Sequence, residues 1–147
     1  MSYIKSTIIN GEEIIHEARI SKWFFFFDIL FGVILVLGSF KDSQYSNLFL
    51  FSGLFFLAKS YITYISTELA FTNKRVIAKV GFIKRDTVEM NTSKVETIQV
   101  HQSILGRILD YGTVIISGAG NPQAPIKGIS EPMKFRAKFM EYTSNNA

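Results

Sequence analysis

The stretch WFFFFDILFGVILVLGSF, Trp23 to Phe40, contains a single charged residue, Asp28. After the seven-residue polar connection KDSQYSN comes a second such stretch, LFLFSGLFFLAKSYITYI, Leu48 to Ile65, whose single charge is Lys59. At 1.5 Å per residue an 18-residue helix covers about 27 Å, close to the roughly 30 Å hydrocarbon core of a bilayer. Neither stretch shows the polar stripe of a helix buried on one face of a water-soluble core. Ten of the 14 phenylalanines lie between Phe24 and Phe56. Residues 23–65 therefore predict a two-helix transmembrane hairpin. Acidic residues upstream and the lack of a small-residue cleavage site argue against a cleaved signal peptide.

Lys and Arg set the expected orientation. Arg19 and Lys22 precede the first stretch, and Lys74, Arg75, Lys79, Lys84 and Arg85 follow the second, whereas the connection holds only Lys41. By the positive-inside rule both termini are cytoplasmic and the connection is outside, which predicts a multi-pass protein of the inner (cytoplasmic) membrane. Trp23, Tyr61 and Tyr64 fall where an aromatic belt is expected. Counted from the connection, Asp28 and Lys59 lie at nearly the same depth. Two readings stand for them: an ion pair between the helices, or a Lys59 that snorkels to the interface while Asp28 already sits near it.

The flanking segments behave differently. Residues 1–22 form a neutral arm with a turn signal at Asn10-Gly11, expected to lie against the cytoplasmic domain or the membrane surface. From residue 66 the apolar period becomes two, and residues 66–147 predict a cytoplasmic domain. ELAFT places Leu69 and Phe71 on one face. RVIAKVGF places Val76, Ala78, Val80 and Phe82 on one face and Arg75, Ile77 and Lys79 on the other. RDTVEMN, VETIQVHQ, GTVIISG and the weaker PIKGIS complete six short strands, which suggest a small antiparallel barrel or sandwich. A helix closes the chain: Ser130 or Glu131 suits its cap, Pro132 its first turn, and Phe135, Phe139 and Tyr142 make an apolar stripe.

Between Leu69 and Gly120 the chain reads LAFTNKRVIAKVGFIKRDTVEMNTSKVETIQVHQSILGRILDYGTVIISGAG. A Thr-x-x-Arg hairpin, a glycine about six residues later, VETIQVHQS and LGRILDYGTV follow in order, with Gly11-Glu12 ahead of the hairpin helices. This combination resembles the bacterial pleckstrin-homology-like membrane protein family of the YdbS/YdbT type. The resemblance implies an α+β membrane protein: a two-helix transmembrane hairpin plus a small antiparallel, seven-stranded PH-like β-barrel, partly open and closed by a C-terminal helix. The seventh strand is then the N-terminal arm or a short strand without a sequence signal.

Within QSILGRILDYG, Ile104, Leu105, Ile108 and Leu109 recur at helical spacing and are expected to fold under the sheet as core. Gly106 provides close packing or a positive φ, and Asp110-Tyr111-Gly112 a turn. Arg107 either hydrogen-bonds carbonyls there or, with the turn amides, holds an anion. GAGNPQAP lacks the Lys and Ser/Thr of a phosphate-binding loop. With no cysteine, and with His16 and His101 far apart in sequence, the chain offers no metal-ligand spacing and no acid–base–nucleophile set, so neither enzyme activity nor a cofactor is expected. A net charge of +4 is mild for a nucleic-acid binder and sufficient for a domain near an anionic leaflet.

The function expected is that of a membrane-anchored, non-enzymatic interaction module. It presents the PH-like domain at the cytoplasmic face and binds itself or other membrane proteins. The alternatives are binding of anionic lipid headgroups through Lys74, Arg75, Lys84, Arg85 and Arg107, or a subunit role in an oligomeric transport or stress-resistance complex, for which Asp28 and Lys59 are the sole support.

Overall fold

A computed structural model describes residues 3–41, 44–81, 86–118 and 121–146, with backbone only for 121–124. The chain opens with a short helix α1 (Tyr3–Thr7) and strand β1 (Ile14–Ala18). A 3-10 turn at Lys22–Phe25 leads into helices α2 (Phe26–Gly38) and α3 (Ser46–Ser66). Strands β2 (Glu68–Thr72), β3 (Arg75–Val80) and β4 (Asp86–Asn91) follow. Then come β5 (Val95–His101), helix α4 (Ile104–Ile108), β6 (Tyr111–Gly118), β7 (Asn121–Ser130) and helix α5 (Pro132–Asn145).

The strands form two antiparallel sheets, β1-β2-β3-β4 and β5-β6-β7. The six expected strands are β2 to β7, and the N-terminal arm supplies the seventh. β1 pairs with β2 in the register His16 to Phe71, Glu17 to Ala70 and Ala18 to Leu69. The two helices are thus an insertion between neighbouring strands of one sheet.

Instead of one closed barrel, the described residues form two sheets joined at a corner. Past β1 the chain crosses to the second sheet: Ser130 N–H donates to the Arg19 carbonyl and Ser21 N–H to that of Gly128, both at 2.8 Å.

Between the sheets, alternate residues meet as their period of two requires. Leu69, Phe71 and Val76 face Val114, Ile116 and Ile126, all buried. α5 lies across this core, with Phe135 and Phe139 buried and edge-on to Phe71 at ring-centroid distances of 5.6 and 5.5 Å. Its expected stripe is therefore the face that packs. Glu131 caps the helix without a side-chain bond to its backbone and pairs with Lys134 at 3.0 Å.

Burial along β3 does not follow its two faces alone. Ile77, on the outer face of β3, is buried with Ala70 because α1 lays Ile4 over them. The Glu68 carboxylate holds α1 there by accepting the N–H groups of Tyr3 and Ile4, both at 3.1 Å. Val80 lies partly in solvent at the end of β3. Phe82 lies outside the described residues.

The first apolar stretch is not one continuous α-helix. Ser21 accepts the Trp23 N–H at 3.3 Å, the chain makes its 3-10 turn, and Phe25 is drawn into the core of the β domain. The α-helix that remains has 13 residues, about 20 Å of rise. Among the described residues one helix, the 21-residue α3, is long and apolar enough to cross a membrane.

The two helices pack closely and antiparallel, with Gly32 against Leu57 and Gly53 against Val36. A β-carbon on Gly53 would lie 2.7 Å from Val36 Cγ2 and 2.8 Å from the Gly32 carbonyl oxygen. Only a glycine permits that approach, the role small residues play between membrane helices. Gly38 has open space around it. We predict that Gly53→Leu lowers thermal stability in detergent, by about 1–3 kcal/mol as overpacking does, whereas Gly38→Ala leaves it unchanged or slightly raised. Equal melting temperatures for the two variants would contradict this packing.

Candidate functional site

The Thr-x-x-Arg hairpin and Gly11-Glu12 meet in one buried cluster. Thr72 Oγ1 accepts the N–H groups of Lys74 and Arg75 at 3.1 and 3.0 Å, which shapes the β2–β3 turn. It donates to Glu12 Oε1 at 2.8 Å. The Glu12 side chain is fully buried, and Arg75 grips both of its oxygens, Nε to Oε1 at 3.0 Å and Nη2 to Oε2 at 3.1 Å. Ile9 N–H donates to the same carboxylate at 2.9 Å. Arg75 also donates to Glu89 at 2.5 Å and to the Thr7 carbonyl at 2.8 Å.

Burial pushes the Glu12 carboxyl up. Bonds from Arg75, the Ile9 amide and the Thr72 hydroxyl, with the Arg75 charge, outweigh burial, so its pKa is lowered to about 2. The bonds to Glu12 raise that of Arg75 despite burial. Nearby, His16 sits between Phe71 and Phe135 at 6.1 and 6.0 Å; burial, then Lys138 and Lys134, lower its pKa.

The other expected site residues scatter. Arg75 belongs to this internal tie, its side chain 13% exposed and committed to two carboxylates, so it is not presented to a lipid surface. Lys74 is exposed beside it, its ammonium donating to the Asn10 carbonyl at 3.0 Å. Lys84 and Arg85 lie outside the described residues. Arg107 is exposed on α4, far along the chain from the tie.

Asp28 and Lys59 form no ion pair, as the ion pairs among the described residues involve only Arg75 and Lys134. The reason is azimuth. Gly53, Leu57 and Ser60 turn toward α2, and at 3.6 residues per turn Lys59 points about 120° away from Gly53. Lys59 is accordingly exposed, while Asp28 is half-buried.

At the foot of the helices Lys22, Phe25, Ile29, Leu57, Ser60, Tyr61 and Tyr64 line an apolar cavity of about 340 Å³. Across the domain a groove of about 210 Å³ runs between β5 and α5, lined by Val95, Thr97, Ile98, Phe139, Met140 and Thr143. β5 is an edge of its sheet. No local sequence signal places this groove, because which strand forms an edge depends on pairings between residues far apart in the chain.

Two sheets of four and three antiparallel strands with a C-terminal helix across the core make a PH-like arrangement, and the sequence pattern of the Bacterial PH domain family matches residues 19–143. The chain belongs to the Bacterial PH domain family. No curated protein and no solved structure matches it. This bacterial PH domain starts earlier than the family match, since β1 and Glu12 precede residue 19.

Removing Arg75 leaves a buried, unpaired carboxylate. We predict that Arg75→Ala costs about 3–5 kcal/mol of stability and that Glu12→Gln/Arg75→Ala costs less than Arg75→Ala alone. A double variant at least as unstable as that single one would contradict the tie. Acidification should also destabilise the protein. The stability contributed by the depressed carboxyl is complete above about pH 4.5 and is lost as pH falls through about 2. Chemical denaturation at pH 5 and pH 2.5 measures this, and Glu12→Gln should flatten that part of the profile.

Proposed function

We propose that this bacterial PH domain is a membrane-anchored, non-enzymatic interaction module held at the cytoplasmic face. The observation that carries this reading is the outer surface of α2 and α3. Phe27, Ile34 and Leu37 on one helix, and Leu48, Phe51 and Phe55 on the other, are each more than half exposed. Such a continuous apolar surface calls for lipid. The hairpin spans the bilayer, with the 21-residue α3 setting the span and the shorter α2 packed along it. The excess of Lys and Arg on the domain side puts both termini in the cytoplasm.

The partner surface is the edge of β5 with its adjoining groove. An edge strand offers unpaired N–H and C=O groups to an extended segment, and a groove beside it takes alternate side chains. Met140, half exposed on α5, supplies an adaptable apolar wall. The hairpin concentrates this edge near other membrane proteins, including further copies of the chain. Exposed Arg19, Lys22 and Arg107 support a second reading, attraction to anionic headgroups, at about 1 kcal/mol for each basic residue near the surface.

Because the chain has no cysteine, single cysteines report topology directly. Lys41→Cys should react with an impermeant maleimide from outside intact cells, and Ser144→Cys only after permeabilisation. The reverse pattern overturns the orientation. A photocrosslinker at Met140 should capture a membrane protein or a second copy of this chain, and one at Lys74 should not. Equal capture from both positions contradicts the groove.

A further inference from the structure

Of the four residues expected to fold under the sheet in QSILGRILDYG, Leu109 is partly buried and the other three do the reverse. On α4, Ile104 is 82% exposed and Ile108 is 73% exposed, with Leu105 at 46%. Positions i, i+1 and i+4 share one face of a helix, so the three side chains form a single apolar knob.

The knob is held firmly. Ser103 Oγ accepts the Gly106 N–H at 3.1 Å. The Gln102 side-chain amide donates to the carbonyls of Gly106 at 3.3 Å and Tyr111 at 3.2 Å. Gly106 is buried against the start of β6, where a β-carbon would lie 2.5 Å from the Tyr111 carbonyl oxygen. A short helix seated on its one glycine, with its isoleucines outward, presents those isoleucines to something.

Its position indicates what. Tyr111, against which α4 is seated, packs edge-on to Phe24 at 5.9 Å. Phe24 also lies over Gly128 and adjoins the half-exposed Trp23, where the chain leaves the sheet for α2. The knob therefore lies on the flank of the domain from which the helices emerge. Arg107 is exposed beside the knob, and from His101 to Leu109 there is no carboxylate. Apolar tips flanked by a basic side chain suit the headgroup–acyl boundary, where the arginine stem lies along apolar surface and its charge reaches phosphate.

We propose that α4 dips into the cytoplasmic leaflet beside the hairpin, a third membrane contact that fixes the tilt of the domain. The occupant of the exposed face is lipid, because α4 is seated on Tyr111, which packs against Phe24 where the chain enters α2. This inference rests on the reading that the hairpin spans the bilayer, and the test separates the two.

Full-length protein carrying one cysteine, at Ile108, Leu54 or Lys94, is labelled with an environment-sensitive fluorophore and reconstituted into vesicles containing anionic phospholipid, with or without brominated acyl chains. The expected result is blue-shifted emission quenched by bromine at Leu54 and at Ile108, and water-like, unquenched emission at Lys94. Quenching at Leu54 with water-like emission at Ile108 overturns the inference and leaves the anchor standing. A label at Ile108 that is shielded but unquenched indicates protein cover, by a partner or a second copy, and also overturns it. No quenching at Leu54 overturns the anchor and the inference with it. As a further check, Ile104→Asp should abolish quenching at Ile108 while leaving that at Leu54 intact.

Discussion

The buried carboxylate of Glu12 is the constraint on which the rest of the architecture depends. It is fixed by the Arg75 guanidinium, the Thr72 hydroxyl and the Ile9 amide, contributed by segments 60 or more residues apart except for Ile9. A charge taken out of water is tolerable only with such a full set of partners. The consequence is geometric. Once Glu12 is tied to the β2–β3 turn, the residues after it run alongside β2, and β1 enters the sheet antiparallel to it, with one register shift between Ile14 and His16.

That pairing turns the two-helix hairpin into a connection between two neighbouring strands. Both of its ends are anchored in the β domain: the entry by Ser21 and by Phe25 in the core, the exit by Thr67, buried just ahead of β2. Tyr64 packs edge-on to Phe25 at 6.5 Å and joins the two feet. A domain attached through one flexible linker would swivel. One attached at two points of the same sheet has its orientation to the helices set by packing, which gives each face of the domain, that of α4 included, a fixed direction relative to α2 and α3.

Much of this was legible in the sequence. The change of period at residue 66 gave the strands, the i, i+4, i+7 stripe gave α5, and the Thr-x-x-Arg hairpin with LGRILDYGTV led to the family. The misreadings share a cause. Counting along a helix gives depth but not azimuth, so equal height leaves both readings of Asp28 and Lys59 open, and only the azimuth removes the ion pair. Helical spacing in QSILGRIL showed that Ile104, Leu105 and Ile108 share a face, but not whether that face looks inward. The cover over Ile77 comes from α1, five residues held by a carboxylate more than 60 positions away, and no local pattern encodes such a contact. The same holds for Arg75, which reads as a surface cation until Glu12 is placed beside it.

This architecture requires that the N-terminal arm be a strand of the PH-like domain, with the helices inserted behind it. Hydrogen–deuterium exchange of the full-length protein in detergent or nanodiscs tests it most directly. The peptide covering residues 14–20 should be protected to the same degree as the one covering 68–72. Rapid exchange of residues 14–20, with 68–80 still protected, would show an arm lying outside the sheet and contradict it.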